Sequence, residues 1–458
     1  GDAFGRLRYD LVGSWDIFSD SKFGRNYLGR IFDGSLEDRS LQRLRRPSKT
    51  AGEGLEAPPG ERRAESITAN LNYGFELAHP LASGSMIQRS LARRARDLSK
   101  KFPAVTITGP RQSGKTTLAR MAFPKLPYAS LEAPDVREFA TEDPRGFLAG
   151  YPHGAILDEV QRVPDLTSYL QGIVDEPGFE GSWILTGSQE FALLASLSQS
   201  LAGRTAVLHL LPPSLEELRR FEDPPEELLE LLFTGAYPRI QQEGIEPRAF
   251  YEAYVATYLE RDVRQVLNIG DVGSFQTFVR LCAGRTGSLV NFSSLGADAG
   301  VSQPTSRSWL SAPEAGFLVF RLRPYLPNLR KRLIKTPKLY FYDSGLLCYL
   351  LGIRDPEQLR HHAMRGAVFE SWVVSEVMKA HYHRGVAPSV FFFQDRRGLE
   401  VDLVVERGGH EITAAEIKSG ATLAGDFLKP LDSFREALAE TRGPAVAAAL
   451  LYGGRQLS

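Results

Sequence analysis

The sequence predicts an α/β fold built on a parallel sheet, followed by a helical stretch and a second α/β unit at the C-terminal end. Three observations predict it. Short apolar strands at 103–109, 127–132, 154–158, 182–187 and 205–211 alternate with segments of helical periodicity, as right-handed βαβ crossovers require. The first strand, "AVTIT", runs into a glycine-rich turn and then into "KTTLARMAF", which begins a helix. Toward the C-terminus, "SVFFFQDRRGLEVDLVVERGGH" reads as a hairpin and "ITAAEIKSG" as a further strand.

Composition narrows the classes of function. At 458 residues and 43% hydrophobic content, the chain has the make-up of two or three globular domains. Lys plus Arg and Asp plus Glu both total 55, so no global positive field points to nucleic acid, and any such contact must come from a local patch. Cys282 and Cys348 are too few and too isolated for a disulfide framework or a zinc site, and read as core residues in a reducing cytoplasm. No apolar run reaches the length of a membrane span, so no membrane partner is expected.

Residues 1–85 are rich in Arg, Gly, Ser and Pro, and "RRPSKTAGEGLEAPPGERRAE" has little that forms a core, so a mostly disordered extension is expected there. Met86, the first methionine, reads as a natural start, with "MIQRSLARRARDLSKK" a helix that feeds the first strand.

The turn after that strand carries the clearest chemistry. Gly109-Pro110-Arg111-Gln112-Ser113-Gly114-Lys115-Thr116 fits the phosphate-cradling pattern G-x-x-x-x-G-K-[ST] at every fixed position, and Thr117 continues it into the helix. Glycines permit the backbone angles of such a loop, whose N–H groups join a helix N-terminus in holding anionic phosphates. Lys115 is expected to reach the β and γ phosphates and Thr116 to hold Mg²⁺.

A metal-holding carboxylate and a water-orienting group must accompany such a loop. In "GAILDEVQRVPD" an apolar strand ends in Asp158 and Glu159, the first placed to bind Mg²⁺ and the second to act as general base. An Asp-Glu pair at a strand end is also a common solvated turn; its position downstream of the loop favours the nucleotide role. In "GSWILTGSQE", Ser188 is the first choice for a residue sensing the γ phosphate and Gln189 the second, although "TGSQ" also suits the cap of a helix beginning near Phe191. In "SLAGRTAVLHLLPPSLEEL", Arg204 is a candidate to touch a γ phosphate in its own or a neighbouring subunit, while an arginine after a helix end is equally what the helix dipole favours.

Together, "GPRQSGKTTLAR", "ILDEVQRVPDL", "WILTGSQ", "SLAGRT" and the later "KRLIKTPKLYFYDSGLL" resemble the prokaryotic AAA-type P-loop ATPases that carry a C-terminal domain of unknown function. The likeness covers nearly everything from Met86 onward. It implies an AAA-type core at 86–212, with ATP and Mg²⁺ as ligands and adenine preferred over guanine.

Residues 213–271 read as a helical region whose apolar stripes are packing faces; Tyr237, Arg239, Arg261 and Asp262 lie in stretches that look like family motifs. Residues 272–345 read as winged-helix-like, with Ser302 to Leu310 in the place of a recognition helix and "RLRPYLPNLRKRLIKTPK" as a basic wing. Binding of double-stranded DNA and a purely architectural role carry equal weight there. Pro313 sits where similar sequences continue a helix, and is expected to kink or end it.

In residues 346–458, Asp402 on one strand and Glu416-Ile417-Lys418 on the next reproduce the D…E-x-K arrangement of restriction-endonuclease-like folds. Residues two apart in a strand share a face, so Glu416 and Lys418 converge while Ile417 enters the core. Glu370 on the preceding helix completes the possible nuclease site, with Glu376 its rival. The same segments also read as ordinary alternating strands, and the chain stops soon after "AVAAALLYGG", where a shortened sheet is expected.

These expectations combine into a cytoplasmic ATPase that drives or gates a C-terminal, DNA-associated module. A slow nucleotide-dependent switch binding DNA or protein, and an ATP-gated, Mg²⁺-dependent DNA nuclease, are the alternatives. An arginine finger acting from a neighbour would require self-association.

Overall fold

The computed structural model describes residues 87–179, 181–188, 200–258, 272–326, 333–408, 410–421, 426–440 and 443–454. The expected N-terminal extension, together with Met86, Gln189, Arg261 and Asp262, lies outside the described residues.

Five strands, β1 (Ala104–Thr108), β2 (Tyr128–Ser130), β3 (Ile156–Asp158), β4 (Trp183–Gly187) and β5 (Thr205–His209), pair in parallel in the order β2-β3-β4-β1-β5. Each falls inside its expected span. β1, β3 and β4 are buried along their whole length, as central strands covered on both faces must be. Alternation sorts their side chains. Val105, Ile107, Ile156 and Ile184 pack with Leu91 and Leu98 of the helix Leu91–Ser99 and with Leu118 of Lys115–Ala122. Ala104, Leu157, Trp183 and Leu185 turn the other way, toward Ala140, Phe147 and Leu166 on the helices Pro134–Glu142, Pro144–Ala149 and Leu166–Val174. Inserting β4 between β1 and β3 brings the C-terminal ends of these three strands side by side.

After the sheet come the short helices Leu215–Leu218, Leu228–Thr234, Pro238–Glu243 and Pro247–Tyr258, the first held by a reciprocal capping box between Ser214 and Glu217. Helices Val272–Ala283, Phe292–Ala299 and Gln303–Ala315 follow, then the antiparallel pair β6 (Val319–Pro324) and β7 (Lys338–Phe341). The helix runs through Pro313 and ends two residues on, at Ala315, and the Leu318 N–H donates to the Pro313 carbonyl at 2.9 Å as the chain leaves it. Standing in the final turn, the proline has little helix left to disturb.

The C-terminal part contains the helices Ser344–Leu350, Pro356–His361 and Arg365–His383, strands β8 (Val390–Gln394), β9 (Glu400–Gly408) and β10 (Glu411–Lys418), the helix Lys429–Ala439 and β11 (Ala445–Tyr452). A single sheet in the order β11-β10-β9-β8-β6-β7 crosses the division expected at residue 345, because β6 pairs with β8 in parallel through Arg323 opposite Phe391 and Pro324 opposite Phe392.

Asp343 forms a buried node under this part. Its carboxylate accepts hydrogen bonds from the Tyr251 hydroxyl at 2.7 Å and the Leu346 N–H at 2.9 Å on one oxygen, and from the Ala236 N–H at 2.8 Å on the other. The stretch "YDSGLL" thereby ties the helices Pro247–Tyr258 and Ser344–Leu350 to the turn at Ala236. Both cysteines are free and buried. Among the described residues no helix is long and apolar enough to cross a membrane.

Candidate functional site

β1 ends at Thr108, and the chain turns through Gly109–Gly114 into the helix that begins at Lys115. Gly109 has φ +154, and a Cβ there would stand 2.1 Å from the Leu210 carbonyl oxygen, so only glycine fits beside the end of β5. Gln112 at φ 59 and Gly114 at φ 92 give the loop its remaining left-handed turns. Ser113 and Lys115 are buried, while Arg111 and Gln112 stand at the rim. Lys115 folds over the loop, its ammonium donating to the carbonyls of Gly109 at 3.0 Å and Pro110 at 2.7 Å. The first N–H groups of Lys115–Ala122, Thr116 and Thr117 among them, have no carbonyl of their own helix to pair with.

Thr116 meets Asp158, whose two carboxylate oxygens lie 3.0 Å from its Oγ1. Asp158 also accepts from the Tyr128 hydroxyl at 2.9 Å and from the Thr186 hydroxyl. Burial and then the Asp158 charge push the Tyr128 phenol well above its ordinary pKa, so it stays a donor. Glu159 adopts a left-handed backbone at φ 57, a rare setting for a residue other than glycine, as the chain enters the 3₁₀ turn Val160–Arg162. Its N–H donates to Thr186 Oγ1 at 3.3 Å, and its Oε2 accepts from Ser188 Oγ at 3.1 Å and from the Gln161 amide. Gln161 also donates to Ser188 Oγ at 3.3 Å, so the end of β3 and the end of β4 form one connected array. Sequence reading missed Tyr128, Gln161 and Thr186; the neighbourhood of β2, β3 and β4 is the only signal that places them.

A cavity of ≈ 310 Å³ lies beside the loop, with Gly114, Thr117, Leu118, Ile87, Met121 and Phe221 in its wall.

Arg204 requires a correction. It stands just before β5, where its carbonyl accepts from the Ala104 N–H at the N-terminal end of β1. The phosphate-type loop follows the other end of β1, roughly 13 Å away at the rise of a parallel strand. Arg204 instead makes a two-pronged bond to Asp175, at 2.6 and 2.7 Å. In its own subunit the side chain is thus engaged at the end of the sheet opposite the loop.

Asp402 on β9 and Glu416 and Lys418 on β10 do converge. Lys418 Nζ lies 2.6 Å from Glu416 Oε2 and 3.3 Å from Asp402 Oδ2, and the Ile417 N–H donates to Asp402 Oδ2 at 2.8 Å. Burial and then the neighbouring Asp402 charge push the Glu416 carboxyl up to about 7, against the pull of Lys418. Glu416 Oε1 is buried without a hydrogen-bond partner. Glu370 accepts from the Tyr340 hydroxyl at 2.5 Å and lies 3.5 Å from Lys338 Nζ. Its carboxyl is also raised, by burial first, with Lys338 opposing and Asp402 adding to the rise. Lys338 is further paired with Glu400. The rival Glu376 is elsewhere: it accepts from the Leu215 N–H at 2.7 Å and from Lys379 at 2.8 Å. Among the described residues no three His, Cys, Asp or Glu side chains are grouped as metal ligands.

Family models match three successive stretches: an AAA domain over residues 101–219, a domain of unknown function (DUF8612) over 225–357 and a second domain of unknown function (DUF4143) over 365–457. Uncharacterized protein Rv2008c of Mycobacterium tuberculosis is 30% identical over 354 residues, covering 76% of this chain and 78% of its own length. Uncharacterized protein Mb2031c of Mycobacterium bovis is similar to the same extent. Among solved structures, a Walker-type ATPase of Pyrococcus abyssi is similar over 58% of this chain and 96% of its own, at 15% identity and a TM-score of 0.40. A STAND-type signal transduction ATPase with a tetratricopeptide repeat sensor from Pyrococcus horikoshii is similar over 65% of this chain and 49% of its own, at 12% identity and a TM-score of 0.20. With that identity across most of both chains, this protein belongs to the family of the two mycobacterial proteins, with an AAA-type P-loop domain in front of two domains of unknown function.

Proposed function

We propose that the chain binds and hydrolyses ATP, and that the nucleotide cycle drives or gates its C-terminal part. The observation that carries this is the array joining Thr116 to Asp158 and Glu159 to Ser188 at the mouth of the Gly109–Thr116 loop. The donor set suits an ATP·Mg²⁺ ligand: a loop that only glycine lets pass beside Leu210, a lysine folded over its own loop, and a hydroxyl beside a carboxylate. Mg²⁺ held by Thr116 and Asp158 would neutralise phosphate charge as the γ phosphate departs.

Lys115 would exchange the carbonyls of Gly109 and Pro110 for phosphate oxygens, a trade of neutral acceptors for anionic ones. Glu159 would take the proton of the attacking water, with Ser188 and Gln161 fixing the direction of its carboxylate. The largely apolar cavity beside Gly114 and Thr117 suits the base. If Arg204 serves as a finger it must come from a second copy, and turnover then rises with protein concentration.

The test is ATP hydrolysis by the full chain, with and without double-stranded DNA, beside Lys115→Ala and Glu159→Gln. Turnover abolished in both variants is expected; tight ATP binding with no turnover would turn the protein into a switch.

A second reading, an ATP-gated nuclease, is favoured by the convergence of Asp402, Glu416 and Lys418 around an unpartnered carboxylate oxygen. The cluster as folded is tied to Lys338 and Lys418 and offers no three-ligand group among the described residues, so no step through a metal is derived for it. Plasmid nicking by the full chain with ATP and Mg²⁺, lost in Asp402→Ala, is what this reading requires.

A further inference from the structure

We infer that Arg89 positions the nucleotide loop and, through Glu217 and His383, couples the state of that loop to the helix Arg365–His383. This rests on the proposal that the loop binds nucleotide.

Arg89 sits two residues before the helix Leu91–Ser99 and is 7% exposed. Its guanidinium forks to three parts of the molecule. One nitrogen donates to the Ser113 carbonyl of the loop at 2.8 Å, and another to the Leu211 carbonyl beyond β5 at 2.7 Å. Nε lies 3.2 Å from Glu217 Oε2. Glu217 is fully buried and also takes the Ser90 N–H at 2.7 Å, while His383 Nδ1 stands 2.9 Å from its Oε2. Burial alone would raise the Glu217 pKa; Arg89 and His383 outweigh it and hold the carboxyl well below the usual range.

His383 is the last residue of Arg365–His383, and that helix grips the same segment twice more. Lys379 donates to the Pro213 carbonyl at 3.3 Å, and Glu376 accepts from the Leu215 N–H. Positions 376, 379 and 383 share one helix face. Beside them the Tyr382 ring meets His209 at the end of β5, with centroids 4.9 Å apart. Glu370, on the same helix, lies about 20 Å from His383 at 1.5 Å per residue. It stands among Tyr340, Lys338 and the field of Asp402. One helix thus runs from the Arg89–Glu217 cluster to the carboxylates of the second candidate site.

Phosphates entering the loop displace Lys115 from the Gly109 and Pro110 carbonyls, and because the Pro110 carbonyl also accepts the Ser113 N–H at 3.4 Å, the backbone at Ser113 re-aims with it. Arg89 must follow that carbonyl or lose it. A buried charge left without its partner is costly, so Glu217 and His383 move with Arg89 rather than let it go. The coupling runs both ways by linkage: what shifts the helix changes nucleotide affinity.

The experiment uses the full chain, fluorescent mant-ADP with Mg²⁺ as probe, and amide hydrogen exchange across residues 365–383. Arg89→Lys keeps the charge but cannot span three partners, and His383→Gln loosens the far end. Expected are a severalfold slowing of exchange in 365–383 of the wild type on nucleotide binding, a loss of that response in either variant, and ADP dissociation constants that do not multiply in the double variant. If Arg89→Lys fails to fold, the exchange response of His383→Gln alone decides. Tight mant-ADP binding with unchanged exchange in the wild type, or independent effects of the two variants, overturns the coupling but leaves the nucleotide site standing. A wild type that binds no mant-ADP overturns both.

Discussion

Thr116 and Asp158, 42 residues apart in sequence, meet so that one hydroxyl proton is shared between both oxygens of one carboxylate, each at 3.0 Å. A hydroxyl and a carboxylate at this spacing have a lone pair each to turn toward a hard cation. Thr116→Val keeps the shape and removes the oxygen. Mg²⁺-dependent nucleotide affinity is expected to fall about 10-fold or more, the scale on which perturbing a metal's supporting groups acts. Titration of mant-ADP with and without Mg²⁺ checks this, since binding in chelator should change far less.

Gly109→Ala forces a methyl group against the Leu210 carbonyl at a φ that side chains rarely adopt. The loop must then shift away from β5. A loss of roughly 1–3 kcal/mol in stability is expected from the strain. Nucleotide affinity should fall with it. Urea unfolding together with ADP titration measures both, and an unchanged variant on both counts would contradict the described loop.

The pH dependence of stability should carry the mark of Glu416. Its carboxyl holds its proton up to about 7 in the fold, whereas an ordinary one releases it near 4.5. Between those values the folded chain binds more protons than the unfolded one. The stabilisation is therefore full below 4.5 and lost as pH rises through about 7. Glu416→Gln cannot titrate. The melting temperature of the wild type minus that of the variant should drop from about pH 5 to pH 8.

Asp343→Ala would strand the N–H groups of Ala236 and Leu346 inside a closed core and leave the Tyr251 hydroxyl only the Thr234 carbonyl, 3.0 Å away. Each stranded donor costs a share of its lost hydration. A destabilisation on the order of 3–5 kcal/mol is expected, with Asn milder than Ala because it still accepts. Denaturant unfolding of the full chain gives the comparison.

The strands of the first sheet were legible because buried parallel strands read as apolar runs bounded by turns, and the loop because its pattern fixes residue types at fixed spacing. The end of the sheet on which Arg204 falls was not legible, since the arginine and its partner Asp175 are joined only once the strands pair. Tyr128 and Thr186 were invisible for the same reason: nothing local marks a tyrosine or threonine as the neighbour of Asp158. Arg89 is harder still. Its partners Ser113, Leu211 and Glu217 lie 24, 122 and 128 residues away, and an arginine before a helix has no periodicity to betray it. Between Glu370 and Glu376, helical spacing left the choice open; the fold sets Glu370 beside Tyr340 and Glu376 beside the Leu215 N–H, which no local pattern foretells.

The pairing of β6 with β8 has a practical outcome for anyone who cuts this chain. A fragment beginning after residue 345 would leave two strands behind and expose β8 as a raw edge, with unpaired N–H and C=O groups open to any other strand. Such a fragment should clump rather than fold. The two stretches matched as separate domains of unknown function each supply strands to that one sheet, so neither closes it alone.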